Sequence, residues 1–509
     1  MKKYNIIGEK WIPVRMLDGS YIALGIGDLF IRAKEIAAIE DPSPLVVASI
    51  HRFLLALLYR ALEGPTDNDQ AKTLFMEGFP NKKIELYLEK WKDRFWLFDE
   101  KYPFGQIPSF KPKSSRAWTT LTAEHNADNA KVLFDHVNVL KAGKVTEAKA
   151  ICAILATQTF VLGGGNSDLV YTCDAPSATA MMVFPLGENL EETLIFSLVP
   201  ENREIFKFDL PIWEREPESV EILNSRNERG LNGFADLYTW RSRAIRLEES
   251  FEGGVESLGF ASGMKCKSLN VIDPMLAYRI DDKLGRLPIR FKERGLWRDF
   301  DCMLPDSLKL APLVIEHAAW LSRFDPKRLP KSVMVVGQSN TKATVDFWRM
   351  ECFALPKALA KEKFIRSNIR NLLNIAESNQ KILWESCKIF AVNLLSRGNR
   401  NIDKEDIRNF IKQMPCIQLY WSALEAKFYQ TLSLFFSESG FDEFEDKIEH
   451  EWLINIDDAL TNAWNQHKSS VSLGDIWGIR ALSKAENTFY SRLSVIKKTI
   501  KEYELKEIK

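Results

Sequence analysis

The sequence predicts an α+β protein: a large, irregular mixed N-terminal domain over residues 1–355, followed by a C-terminal four-helix bundle over residues 356–509. Three observations carry this expectation. Short β-like pieces and helical stretches are interleaved in the N-terminal part without the regular strand–helix alternation of a parallel α/β sheet. Proline nearly vanishes after Pro356, with Pro415 the only one left. Beyond that point apolar residues recur at three-to-four spacing over long segments, the signature of amphipathic helices.

Taken in order, the first elements are β-like pieces at Trp11 to Arg15 and Tyr21 to Leu24, then an apolar helix, PLVVASIHRFLLALLYRAL, from Pro44 to Leu62. His51 and Arg52 lie inside that helix and read as satisfied structural groups in preference to site residues. The Ala-, Glu- and Lys-rich segment Val145 to Phe160 reads as a second helix. It runs into "FVLGGGNSD", with three consecutive glycines at 163–165. From Leu190 to Phe208 and from Ser332 to Val336 the β-branched and aromatic content rises again. In the C-terminal part, one apolar stripe runs from Ile365 to Leu394 and another from Leu482 to Tyr503. Between them lie helical stretches at roughly 404–437 and 442–465, and four amphipathic helices in series with short joints make a bundle the natural solution.

Composition bounds the function. The chain has 509 residues, 46% of them hydrophobic and 11% aromatic, enough for two or three domains with sizeable cores. No run of about 18 apolar residues occurs and the N-terminus lacks an apolar leader core, so a cytoplasmic protein with no membrane partner is expected. Seven cysteines are scattered without any Cys-x-x-Cys pair, which indicates neither a zinc knuckle nor a disulfide framework. The formal net charge is zero, but charge is segregated. Lys265 to Arg298 carries nine Lys/Arg against four acids, whereas Glu438 to Asp458 is strongly acidic. Both also fit ordinary solvated faces.

The sequence offers no convincing active site. Only six histidines exist. His450-Glu451 begins like a zinc-protease helix, but Ile454 stands where the second histidine is required. Phe134-Asp135-His136 lacks companion ligands at recognisable spacing. There is no Gly-x-Ser-x-Gly elbow and no Cys/His constellation. Neither a metal nor a cofactor is expected. The triple glycine does not read as a phosphate loop, because such a loop follows a strand and opens a helix, whereas these glycines close one. One glycine suffices for a helix C-cap, so three suit either a backbone approached closely by something bulky or a flexible turn.

Several stretches together resemble one family, the large subunit, often called CasA, of the type I-E Cascade complex of CRISPR immunity. They are Trp11-Ile-Pro-Val-Arg15, Tyr102-Pro-Phe-Gly-Gln106, Leu133-Phe-Asp-His136, the glycines at 163–165, Gly295-Leu-Trp297, the segment Gly337 to Arg349 and the C-terminal helices. The resemblance implies a non-catalytic subunit of an RNA-guided antiviral complex. Such a subunit recognises the protospacer-adjacent motif in double-stranded DNA, promotes strand opening and helps recruit a trans-acting helicase-nuclease. Its partners would be the DNA target, the guide crRNA and the other Cascade subunits, the small subunits against the bundle among them.

The same resemblance assigns DNA-binding roles. Gly163, Gly164 and Gly165, with Asn166 beside them, match the loop that enters the minor groove, where a backbone without side chains suits a groove about 6 Å wide. Lys283 and Arg286, ahead of Arg279, are candidates for a basic finger in the same groove. Lys342 and Ala343 match the strand-separating wedge, with lysine standing where the best-known members have glutamine. Phe134, Asp135 and His136 match a loop beside the recognition site and the guide's 5′ region. The small zinc-binding insert of some relatives has no counterpart here. Two rival readings remain open: a nucleotide-binding enzyme using the glycine loop, and a structural scaffold of the guide-RNA complex that reads no motif.

Overall fold

The computed structural model describes residues 2–125, 142–225, 228–267, 271–292, 294–303, 309–354, 363–398, 401–437, 442–472 and 474–507. The chain divides into two compact units: Met1–Glu293 with Pro305–Leu355, and Arg294–Leu304 with Pro356–Lys509.

The first unit is a mixed structure of several small sheets around one core helix. Strand Ile12–Met16 pairs antiparallel with Tyr21–Leu24 on one side and Ile36–Ile39 on the other. Pro44 opens the core helix Pro44–Leu62, where its missing N–H costs nothing. Sixteen of that helix's nineteen residues are buried, so its apolar length serves a protein interior. His51 and Arg52 are structural, as the sequence suggests. The His51 Nδ1–H donates to the Val47 carbonyl at 2.8 Å, and the Arg52 guanidinium meets Asp273 at 2.6 Å beneath the Tyr238 ring. A buried cation persists only when it is paired and hydrogen-bonded in this way.

Two three-stranded sheets frame the region of interest. In one, Val255–Ser262 pairs with Arg243–Glu249 and with the short strand Arg116–Ala117. In the other, the long hairpin Ser332–Thr341 and Thr344–Ala354 is extended by Met182–Leu186. The Leu190–Phe208 segment departs from its β-branched and aromatic content. Leu190–Ser197 is a buried helix capped by the Asn189 side chain, and Arg203–Phe206 is a further helical turn capped by Asn202. An N-cap acceptor followed by Glu191 and Glu192 in the first turn outweighs strand propensity there.

The second unit is the helical bundle. Its long helices are Lys363–Ser396, Cys416–Ser437, Asp442–Ser470 and Ile476–Glu507. The stretch read as one helix from 404 to 437 is two, Lys404–Gln413 and Cys416–Ser437. Met414 before Pro415 is extended, as the residue preceding a proline prefers. The Gly295-Leu-Trp297 segment, expected within the first domain, packs with the bundle. Trp297 is 2% exposed, with its ring 5.1 Å from Phe428, 5.6 Å from Trp421 and 6.4 Å from Trp452. Arg298 lies 3.6 Å over the Trp421 ring and donates to Glu377 at 2.8 Å. So large an aromatic surface goes wherever it can be buried, whichever side of the proline boundary it comes from.

Candidate nucleic-acid interface

Everything at this site belongs to the first unit. Thr146 caps the helix Glu147–Phe160 by accepting from the Lys149 N–H. Its C-cap is Val161, in extended conformation at φ −61°, so the glycines are not the cap. They begin a hydrogen-bonded lobe. Ala175 N–H donates to the Val161 carbonyl at 2.9 Å, Gly163 N–H to the Asp174 carboxylate at 2.6 Å, and Thr172 N–H to the Gly165 carbonyl at 2.9 Å. An isolated bridge between Asn166 and Tyr171 closes the turn. At the tip the Ser167 hydroxyl donates to the Val170 carbonyl and accepts from Ser262 N–H. No helix starts at these glycines, so the lobe lacks the helix N-terminus on which a phosphate loop depends.

Each glycine has its own reason. A Cβ on Gly163 would stand 2.6 Å from the backbone of Thr172 and Cys173, the returning arm of the lobe. Gly164 has φ +121° and is exposed, and a Cβ there would stand 2.5 Å from the Ala343 Cβ. At Gly165 a Cβ would meet nothing within 4 Å among the described residues. Two of the three glycines therefore serve close packing of this chain, and Gly165 alone is bare toward open space.

The second component is the tip of the long hairpin. Thr341 pairs with Thr344, which leaves Lys342 and Ala343 as a two-residue turn. Lys342 takes the left-handed conformation at φ +55° and is exposed, and its carbonyl accepts from the Asn340 side chain at 2.6 Å. Further down, buried Gln338 donates through Nε2 to the Phe160 carbonyl, tying the hairpin to the helix that precedes the glycines. The structure thus brings Gly163, Gly164, Gly165, Asn166, Lys342 and Ala343 into one place.

Lys283 and Arg286 sit on a separate short hairpin, Tyr278–Asp281 with Gly285–Pro288, where Ile280 pairs with Arg286. The Asp281 carboxylate accepts from the N–H groups of Lys283 and Leu284, and Gly285 completes the turn at φ +73°. Both cations are exposed, and neither takes an ion pair among the described residues. The strand leaving this hairpin reaches the long one: Phe291 packs directly under Gly337, where a Cβ would stand 2.5 Å from its ring, and stacks on Phe347. The two hairpins are therefore braced at the root, while Lys283 and Arg286 do not join the glycine–Ala343 cluster itself. Phe134, Asp135 and His136 lie outside the described residues.

Sequence reasoning missed the group that holds the lobe. Arg243, 2% exposed, donates through one terminal nitrogen to the Cys173 carbonyl at 2.8 Å and through the other to the Leu162 carbonyl at 2.6 Å, clamping both arms. Burial lowers its pKa to about 10, which leaves it cationic at neutral pH. Nothing in the strand Arg243–Glu249 distinguishes this arginine from Arg246 by type or spacing. Beside the clamp, a cavity of about 230 Å³ opens between the lobe, the preceding helix and the hairpin base.

The comparisons with known proteins agree on one family. The family described as CRISPR-associated protein Cse1 matches residues 5–463. CRISPR-associated protein CasA/Cse1 of Thermus thermophilus is 32% identical over 501 residues, 96% of this chain and 97% of that one. The solved structure of Thermus thermophilus CasA (Cse1) superposes with a TM-score of 0.82 at 31% identity, covering 97% of this chain and 100% of that one. A chain from a structure described as a CRISPR RNA-guided surveillance complex shares the fold, with a TM-score of 0.72 at 16% identity over 96% of this chain and 100% of that one.

Proposed function

This chain belongs to the CRISPR-associated Cse1 (CasA) family of large subunits of CRISPR surveillance complexes, and on that premise we propose that it reads a protospacer-adjacent motif in double-stranded DNA and starts strand opening. The observation that carries the reading is the seating of Ala343 on Gly164. A bare-backbone lobe and an exposed lysine-tipped turn form one surface, as a groove reader and a wedge acting on adjacent base pairs must. Gly165 is the element that suits a narrow groove, because only there is the glycine not required by the chain's own packing. Lys283 and Arg286, on their exposed turn, supply the cationic contact.

In this reading the subunit does no chemistry of its own. It works in the cytoplasm with a guide crRNA and the remaining Cascade subunits, and hands the opened target to a trans-acting helicase-nuclease. Metal-dependent cleavage by the rigorously pure chain would overturn the non-enzymatic part. The deciding measurement is the affinity of the assembled complex carrying Gly165→Leu for two targets, motif-bearing duplex and guide-complementary single strand. Loss on the duplex alone is expected. Unchanged duplex binding would reduce the lobe to an ordinary turn, and equal loss on both would point to damaged assembly.

A further inference from the structure

Two thiols meet inside the second unit. On the helix Lys363–Ser396, Leu383, Cys387, Phe390 and Ala391 are buried at three-to-four spacing, which places Cys387 on the face turned to the bundle core. Cys416 is the first residue of the helix Cys416–Ser437 and is equally buried. One turn further along, the Tyr420 hydroxyl donates to the Ala376 carbonyl at 2.8 Å, tying these two helices together. Across their interface Cys387 and Cys416 are hydrogen-bonded to each other. His467, on the helix Asp442–Ser470, completes the cluster. Its ring stands 4.6 Å edge-on to Phe390, one turn from Cys387, and its side chain reaches Cys416. The three residues come from three helices, so cysteine spacing along the chain could not show the pairing.

The two thiols are not equivalent. The hydrogen bond from Cys387 holds Cys416 well below the ordinary thiol range, at about 5, and His467 adds to the effect. A thiolate at the start of a helix and beside a histidine is placed as nucleophilic cysteines are. The same hydrogen bond, together with burial, pushes Cys387 up, so it remains the S–H donor. Among the described residues no three His, Cys, Asp or Glu side chains are grouped as metal ligands, which leaves the pair the chemistry of thiols. Pro415, immediately before Cys416, is exposed, so opening of the helix's first turn admits a small oxidant.

We propose that Cys387 and Cys416 form a redox-sensitive pair that hydrogen peroxide closes to a disulfide, stapling the helices Lys363–Ser396 and Cys416–Ser437. In the first step the Cys416 sulfur attacks one peroxide oxygen. The S–O bond forms as the O–O bond breaks, and the departing hydroxide takes up the proton that Cys416 has released, giving water. In the second step the Cys387 sulfur attacks the sulfur of the Cys416 sulfenic acid, and the displaced hydroxide leaves as water with the Cys387 proton. The sum is two thiols and one hydrogen peroxide giving one disulfide and two waters. In a reducing compartment such a bond is transient and serves as a sensor, not as a permanent brace.

In the test, the purified full-length chain is treated with hydrogen peroxide, the peroxide is removed, and the remaining thiols are alkylated after unfolding. Two of the seven thiols should be protected, a digest should yield a peptide pair joining Cys387 to Cys416, and dithiothreitol should restore both thiols. The oxidised chain should also unfold at a midpoint several degrees higher, because the closed loop restricts the unfolded chain. Cys387→Ser and Cys416→Ser should each abolish the linked peptide and the rise in midpoint. The peptide map of the unsubstituted chain decides by itself if a serine variant does not fold. Absence of the linked peptide, a link that forms only in denaturant, or a link that leaves the midpoint unmoved overturns the proposal.

Discussion

Gly164 and Ala343 are in contact so close that a Cβ on the glycine would stand 2.5 Å from the Cβ of the alanine. The glycine's φ of +121° is itself one that side chains rarely adopt. Substitution at Gly164 therefore carries two separable penalties, a clash and a backbone strain. Gly164→Ala should lower stability and displace the hairpin tip, and Ala343→Gly in the same chain should recover only the clash. The remainder, of order 1–3 kcal/mol, is the conformational strain. Denaturation midpoints of the two single variants and the double variant check this; full recovery in the double variant would mean that strain plays no part.

Gly165 and Gly164 thus answer different questions. A loss of DNA binding in a Gly164 variant mixes lobe geometry with groove contact, whereas a Cβ added at Gly165 would meet nothing within 4 Å among the described residues. Only the latter isolates the interface.

Lys283 and Arg286 are exposed and unpaired among the described residues, so replacing either by alanine should cost little stability. If each holds a phosphate, log affinity of the assembled complex should depend less steeply on log salt, by about one unit of slope per contact removed. A change in motif preference without a change in slope would instead mean contact with a base edge.

At the hairpin tip, Lys342 occupies the left-handed region at φ +55°. Lys342→Gly should therefore be neutral or slightly stabilising in denaturation experiments. Replacing Lys342 and Ala343 together by glycine should slow opening of linear duplex more than binding to a pre-opened bubble, because a wedge acts only where base pairs must be broken. Equal effects on both substrates would assign the turn to binding alone.

The first unit should lose stability on mild acidification. Burial lowers the pKa of both His51 and His317 to about 4, from an ordinary value near 6.5. As pH falls from 6.5 toward 4 the unfolded chain binds protons that the folded unit refuses, so this contribution is lost through that window and changes no further below it. His51→Leu and His317→Leu together should flatten the difference between denaturation midpoints at pH 7 and pH 5; an unchanged difference would show that other groups dominate.

Local pattern is the part of this protein that the sequence determined by itself. The core helix Pro44–Leu62 is predominantly apolar with proline at its first position, and the bundle helices repeat apolar residues at helical spacing, so both are legible without any neighbour. The glycines could be seen to follow a helix instead of opening one. Their individual roles could not, because a glycine carries no side chain to show what approaches it. Tertiary structure made those decisions. Ala343 meets Gly164 on a hairpin that Gln338 ties to the end of the preceding helix, and the lobe is held by Arg243, which donates from another sheet to the part-buried carbonyls of Leu162 and Cys173. Trp297, likewise, joins the helices across a boundary that proline content had drawn, because burying an indole outweighs position along the chain. Helix period is written into a few consecutive residues, whereas the partner that satisfies a buried carbonyl or fills the space above a glycine is selected from the whole folded chain.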